Sequence, residues 1–263
     1  MSGTTTGQLL LRREGPVLVM TIANPALRNA LHPAMYRGGA QAVREAAADP
    51  AVRAIVLTGE GEHFCGGGDL NRLRRQRELP AHEQHGHLDA LHDWVMALQE
   101  SPQPVIAAVE GAAAGGGFSV CLGCDLVVAA EDAVFVMSYA RIGLSPDGGG
   151  SDSLARALPP QAALELLLDG GKVTPQRLHG WGLINRLVPH GQALATALEW
   201  AQRLARGAAG AQADIKRLVY GARHRERRAQ LDAERDAFVA NLYGEHAGRA
   251  IAAFLDKTPT HPT

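Results

Sequence analysis

Cysteine is scarce in this 263-residue chain, with Cys65, Cys121 and Cys124 making up the whole complement. Three thiols cannot build a disulfide framework, and the count suits a reducing compartment, so the cytoplasm is the expected location. Aromatic residues are only 5% of the chain, which implies a core of Ala, Leu, Val and Gly. An excess of either charge is also missing: 26 Lys and Arg face 27 Asp and Glu. No bulk positive field is left to draw nucleic acid or an anionic membrane, so neither is an expected partner and any phosphate contact must be local. No run reaches the roughly 18 apolar residues of a membrane span, and the first twenty residues lack the charged-then-apolar pattern of a secretory signal. A soluble protein is expected.

What is present is a 46% hydrophobic, 20% charged chain, long enough to bury a sizeable core. Aliphatic runs at 8–13 and 17–22, joined by Glu14-Gly15-Pro16, predict a β-hairpin. Helical spacing runs from Pro33 to Ala48, and Asp49-Pro50 breaks it before a buried-strand run at 54–58. A glycine-dense loop, GEGEHFCGGGDL, fills 59–70, and a polar stretch continues to about residue 90 before helical periodicity resumes through Trp94 and Leu98. Pro102 and Pro104 end that helix. A strand at 105–109, a second glycine loop at 111–117, a short helix at 118–122 and a strand at 126–129 repeat the unit. A third pass offers a strand at 133–137, a turn at 145–150 and helices across 151–169. From about 190 onward only amphipathic helical segments appear. The pattern predicts an α/β fold with parallel crossovers over residues 1–195, and a helical region at 196–263 that packs on the core and on a neighbouring subunit.

The two glycine loops share one layout: an apolar strand, then glycines, then a helix start. Glycine permits positive φ and close ligand approach, so free N–H groups can be aimed at one oxygen. Two such loops supply two donors, the minimum for an oxyanion hole, and one donor is typically worth about 3 kcal/mol of barrier. The bland alternative is a pair of tight turns required by packing. A phosphate-binding loop is disfavoured because the run after Gly111 reaches Phe118 without the required Lys. A dinucleotide fingerprint fails because Gly59-Glu60-Gly61 leads to Phe64 where glycine is needed.

The run Glu62-His63-Phe64-Cys65-Gly66-Gly67-Gly68-Asp69-Leu70, with Val105 to Gly111 and Ala114-Gly115-Gly116-Gly117, resembles the enoyl-CoA hydratase/isomerase (crotonase) superfamily. Asn24-Pro25 through Asn29-Ala30-Leu31, Cys124-Asp125-Leu126 and the tail Phe254-Leu255-Asp256-Lys257 extend the likeness over nearly the whole chain. The resemblance implies a spiral of β-β-α units like that of the ClpP/crotonase fold, with a C-terminal helical trimerisation region and assembly as trimers or hexamers of paired trimers. It implies that Gly68 and Gly116 supply the oxyanion-hole N–H groups. Coenzyme contacts would fall near Ala26, Arg28, Ala30, Gly66, Asp69 and Leu70, and a neighbouring subunit's Phe254 and Lys257 positions would touch the coenzyme. Gly115, Ser119, Ser138, Tyr139 and Gly143 would shape the acyl site. Coenzyme A is then part of the substrate, and no metal or redox cofactor is expected.

The departures from the family pattern carry as much information as the match. Hydratases of the family place two glutamates where this chain has Ser119 and Tyr139. Syn addition of water is readily served by two carboxylates around one water, and that pair is missing. Asp147, in Gly143-Leu144-Ser145-Pro146-Asp147-Gly148-Gly149, stands where members that shift double bonds or act on aromatic-pathway acyl-CoAs carry their acid. One carboxylate suffices to take a proton from one carbon and return it to another. The segment 138–147 resembles most the phenylacetate-degradation branch, whose members isomerise ring-epoxide, oxepin or enoyl-CoAs.

The expected function is therefore an isomerase or lyase acting through a stabilised enolate, with Asp147 as single acid and base. Alternatives are a hydratase with a reduced acid/base set, an aromatic acyl-CoA dehalogenase or hydrolase with Asp147 as nucleophile, and a non-catalytic acyl-CoA binder. Ser-Pro-Asp-Gly is also good turn chemistry with no function. The histidines at 82, 85, 87 and 92 fit no standard metal-ligand spacing. Cys121 and Cys124 lack the further cysteines of a zinc site, and Cys65 is a conceivable but unsupported nucleophile. The arginines at 223, 225, 227 and 228 share their segment with acids and read as a solvated or subunit-facing surface.

Overall fold

The computed structural model describes residues 7–256. β1 (Gln8–Glu14) and β2 (Val17–Ala23) form the expected antiparallel hairpin, with Gly15 at φ 58° in its turn. Helix α1 (Pro33–Ala48) then carries the chain to β3 (Ala54–Gly59), and α2 (Leu70–Gln76) and α3 (Ala81–Glu100) carry it to β4 (Val105–Val109). A short strand β5 (Ala112–Ala114) and α4 (Gly116–Leu122) lead to β6 (Leu126–Ala130). Next come β7 (Val134–Val136), α5 (Gly150–Ala157), α6 (Pro160–Leu164), β8 (Lys172–Val173), α7 (Pro175–Gly180) and β9 (Arg186–Val188). Helices α8 (Ala193–Ala205), α9 (Ala209–Gly221), α10 (Arg227–Leu242) and α11 (Glu245–Leu255) follow.

The main sheet has the order β1-β2-β3-β4-β6-β9, parallel throughout except at the β1 edge. Parallel strands are covered on both faces and so read as unbroken apolar runs. Leu18, Met20 and Ile22 of β2 point into one core and Val17 and Val19 into the other; Ile55 and Leu57 oppose Ala54 and Val56 in the same way. Trp94 and Leu98 of α3 fill the first core with Met35 and Tyr36 of α1. On the second face Ala193, Ala197 and Ala201, a four-residue repeat of small side chains, seat α8 against the sheet. Burying one large aliphatic or aromatic side chain in such a core contributes about 1.5–3 kcal/mol.

A second, smaller sheet of β5-β7-β8 lies beside the first. Its β5 occupies part of what the sequence presents as a glycine loop, so 111–117 is a strand and helix start rather than a loop, and α4 begins at Gly116 instead of Phe118. The strands β8 and β9 also lie outside the expected pattern. Strands of two or three residues have no period to detect and exist here only because β7 and β6 offer open edges. The polar stretch before residue 90 is already helical from Ala81, with its solvated first turns hiding the periodicity that Leu91, Trp94 and Leu98 make plain. Among the described residues no helix is long and apolar enough to cross a membrane.

Candidate active site

The two glycine loops are stitched together by backbone hydrogen bonds. Phe64 N donates to Glu110 O (2.8 Å), Cys65 N to Ala112 O (2.9 Å) and Ala114 N to Cys65 O (2.9 Å), making Cys65 and Ala113 a parallel bridge pair. Gly68 lies three residues beyond Cys65 and Gly116 three beyond Ala113. The contact continues one step further, since a methyl on Gly67 would lie 3.7 Å from Gly115 Cα, and Gly68 and Gly116 are the residues that follow this touching pair. The approach between the loops leaves no room for side chains. A methyl on Gly67 would lie 2.7 Å from Ala114 O, and one on Gly117 would lie 2.6 Å from both Cβ and Sγ of Cys65. Gly67 also needs glycine for its φ of 92°. Neither the Gly68 nor the Gly116 amide donates to another group among the described residues. For Gly116 the reason is local, since the first amides of a helix have no intrahelical acceptor.

Asp147 reaches this pair from the turn before α5. A methyl on Gly116 would lie 3.5 Å from Asp147 Oδ1 and 3.4 Å from Leu31 Cδ1. The turn is set by Gly148 and Gly149 at φ 57° and 78°, with Gly150 N donating to Asp147 O at 3.1 Å. Tyr139 Oη donates to Asp147 Oδ1 at 2.6 Å, a charge-assisted contact. Burial, then the Asp147 charge, push the Tyr139 phenol well above its ordinary pKa, so it stays a donor at neutral pH. Ser119, fully buried on α4, lies 3.5 Å from Tyr139 Oη and donates weakly to Gly115 O at 3.4 Å. The expected acyl wall is thus also a support for the acid.

The segment 24–31 forms one flank of the loops. Asn29 at φ 57° donates from Nδ2 to Glu60 O and His63 O (2.9 and 2.6 Å), Gly66 N donates to Arg28 O (2.7 Å), and Leu31 N donates to Gly67 O (2.7 Å). These bonds bring Arg28 against Gly66, with Ala26 and Ala30 in the same segment, Asp69 capping α2 by accepting from Asn71 N at 2.9 Å, and Leu70 exposed next to it. Two free amides on adjoining loops, with one carboxylate beside the second of them, suit proton transfer next to a polarised carbonyl.

Residues 12–262 match the enoyl-CoA hydratase/isomerase family. The chain belongs to that family. It is 33% identical over 256 residues to the 1,2-epoxyphenylacetyl-CoA isomerase of Escherichia coli, covering 95% of each chain. It is 32% identical to the 2,3-dehydroadipyl-CoA hydratase of the same organism, covering 95% of this chain and 96% of that one. A crystal structure of an enoyl-CoA hydratase from Polaromonas sp. superposes with a TM-score of 0.93 at 48% identity, covering 95% of this chain and 97% of that one.

The fold is accordingly the crotonase fold, and the family's substrates are acyl-CoA thioesters. Of the remaining site expectations for this family member, Ser138 is half-buried against Gly170, and Gly143 at φ 73° closes the turn after Tyr139. Phe254 lies exposed on α11, whose main packing is against α10, and Lys257 falls outside the described residues. Cys65 is buried, its thiol pushed up to about 12 by desolvation and donating to Asn29 O at 3.1 Å, so it is a packing residue and not a nucleophile. Cys121 and Cys124 are likewise free and buried. The histidines of α3 do not converge as a three-ligand group among the described residues.

A cavity of about 460 Å³ lined by Cys124, Asp125, Asp152, Tyr220 and Arg223 lies away from the glycine loops. Its buried carboxylate is already satisfied by Lys216 Nζ at 2.8 Å and Tyr220 Oη at 2.9 Å. Two residues near the glycine loops escaped the sequence reading, Tyr36 on α1 and Arg72 on α2, and His87 on α3, weighed there only as one of a histidine cluster, touches Arg72. Tyr36 looks like any core aromatic at helical spacing, and only the nearby charges of Arg72 and Asp147 mark it out.

Proposed function

We propose that the protein is an acyl-CoA isomerase in which the amides of Gly68 and Gly116 hold the thioester oxygen as an enolate develops, while Asp147 lifts a proton from one carbon and returns it to another. The observation that carries this is the meeting of both glycine loops with a single carboxylate, held by Tyr139 and flanked by no second acid at Ser119. Proton transfer between carbons needs one base that becomes the acid, and preorganised amides lower the barrier to the enolate without reorganising. Double-bond or ring isomerisation both fit, and the likeness to a 1,2-epoxyphenylacetyl-CoA isomerase supports an aromatic-pathway substrate.

The reaction so described uses no metal or redox cofactor. Ala26, Arg28, Ala30, Gly66, Asp69 and Leu70 would line the coenzyme, with Phe254 and Lys257 serving a neighbouring subunit's site. Exposed apolar side chains along the C-terminal helices, among them Phe238, Leu242 and Tyr243, support a trimer or hexamer built through a 196–263 region distinct from the 1–195 core. A cytoplasmic location is part of the same reading.

Asp147→Asn tests it. The amide is isosteric and still accepts from Tyr139, so geometry survives while the base is lost. Turnover of a 3-enoyl-CoA to its 2-enoyl isomer falls by about 10²–10⁴, whereas full turnover in this variant sinks the assignment. A second reading, hydration by water held on Asp147, is favoured by the relatives named hydratases; loss of conjugated-thioester absorbance with crotonyl-CoA distinguishes it.

A further inference from the structure

Arg72 has no acid to pair with. No carboxylate lies within ion-pair distance of it or of Arg37 among the described residues, although thirteen such contacts are formed elsewhere. Its Nη1 donates to His87 Nδ1 at 3.4 Å, and its charge acts on the Tyr36 hydroxyl. Its Nε is buried with no partner at all. Five buried side-chain polar atoms are unsatisfied among the described residues, and three of them, Arg72 Nε, Gln76 Oε1 and Gln84 Oε1, come from α2 and the first turn of α3. Buried polar groups are normally bonded, and an orphaned one costs about 1–3 kcal/mol. Among the described residues, most of these orphaned atoms thus fall within the segment 72–84.

That place adjoins the reacting end of the site. Helix α2 leaves directly from the first glycine loop, and a methyl on Gly68 would lie 3.7 Å from Leu73 Cδ1, the residue after Arg72. Tyr36 lies within range of the charges of both Arg72 and Asp147. The groups facing Arg72 are basic or neutral: Tyr36 from α1, His87 from α3, and His32 and Arg37 nearby, with Asp69 and Glu83 the only acids in range of the two histidines. Burial and the two arginines hold both His32 and His87 below their ordinary values, so His87 is neutral and accepts from Arg72. What the guanidinium lacks is an anion, and its planar fork suits a carboxylate.

We infer that Arg72, steadied by His87, is a specificity residue that takes a carboxylate at the far end of the substrate's acyl chain. The inference rests on the acyl-thioester reading above, since α2, which carries Arg72, starts at the loop whose Gly68 would hold the thioester carbonyl. A basic group beside this site can also serve a coenzyme phosphate, which shares the same chemistry, and the experiment separates the two.

Saturated thioesters bind without reacting, so calorimetric titration with adipoyl-CoA and hexanoyl-CoA reads recognition independently of turnover. The wild-type protein binds adipoyl-CoA more tightly. Arg72→Met weakens adipoyl-CoA by roughly 10- to 100-fold and leaves hexanoyl-CoA within about twofold. Arg72→Lys, which keeps the charge and loses the fork, falls between the two for adipoyl-CoA alone and serves if the Met variant does not fold. Equal weakening of both thioesters assigns Arg72 to a coenzyme phosphate and overturns the inference, as does no change in either. Failure of both thioesters to bind the wild-type protein strikes at the acyl-CoA reading itself, whereas binding of both without preference for adipoyl-CoA strikes only at the role of Arg72.

Discussion

Replacing Tyr139 with Phe removes one atom, the hydroxyl that donates to Asp147 Oδ1 at 2.6 Å. Hydrogen bonds to charged groups contribute about 1.5–3 kcal/mol. If that bond orients the carboxylate for proton transfer, its loss falls on the transition state and lowers kcat by roughly 10- to 150-fold. The substrate is held by other groups, the two loop amides and the 24–31 flank, so KM stays near the wild-type value. Asp147 is only half-buried, so water replaces the lost donor and the thermal midpoint moves little. Ser119 Oγ, at 3.5 Å from the missing hydroxyl, is too far to substitute. The assay is the appearance of conjugated-thioester absorbance from a 3-enoyl-CoA under single-substrate kinetics. A kcat within twofold of wild type, or a raised KM with kcat unchanged, refutes the positioning role and makes Tyr139 a wall residue.

Two further outcomes concern the scaffold. Gly117→Ala forces a methyl to within 2.6 Å of Cys65, so it costs about 1–3 kcal/mol of stability by overpacking and lowers turnover by spreading the loops; Gly68→Ala, which meets only Leu73 at 3.7 Å, unfolds in urea at the wild-type midpoint. Lys216→Met strands the buried Asp125 carboxylate, whose proton affinity desolvation already raises, and costs about 3–5 kcal/mol in the same unfolding measurement, while the paired change with Asp125→Leu recovers most of it.

How much of this was readable before the fold depended on how local the signal is. The parallel strands were legible because double burial leaves unbroken aliphatic runs at 17–22, 54–58 and 105–109. The glycine loops were legible because their density has few other causes. The expectation that they work as a pair came from their shared layout, and the resemblance named the two amides; the geometric reason, the bridge between Cys65 and Ala113, is a tertiary pairing with no mark in either segment. The strands β8 and β9 were invisible because two or three residues cannot display a period of two. Asp147 stood out as a departure from the hydratase pattern, but its bond to Tyr139 depends on the tight turn closed by left-handed Gly143, which folds an eight-residue gap back on itself. Arg72, His87 and Tyr36 come from three helices, and Arg72 sits among Arg74, Arg75 and Arg77 with nothing in sequence to separate it from a solvated basic face. Its isolation from any acid is a property of the packed chain.

The central claim is that two main-chain amides share one thioester oxygen, and the carbonyl itself reports on it. Isotope-edited infrared difference spectra of hexanoyl-CoA carrying a ¹³C label at the thioester carbon read that bond directly. On binding, the band moves to lower frequency in the wild type and in Asp147→Asn, which keeps both amides, and it returns toward the free value in Gly68→Pro, which lacks one donor. A bound carbonyl at the free frequency in the wild-type protein, or an unchanged shift in Gly68→Pro, contradicts the account.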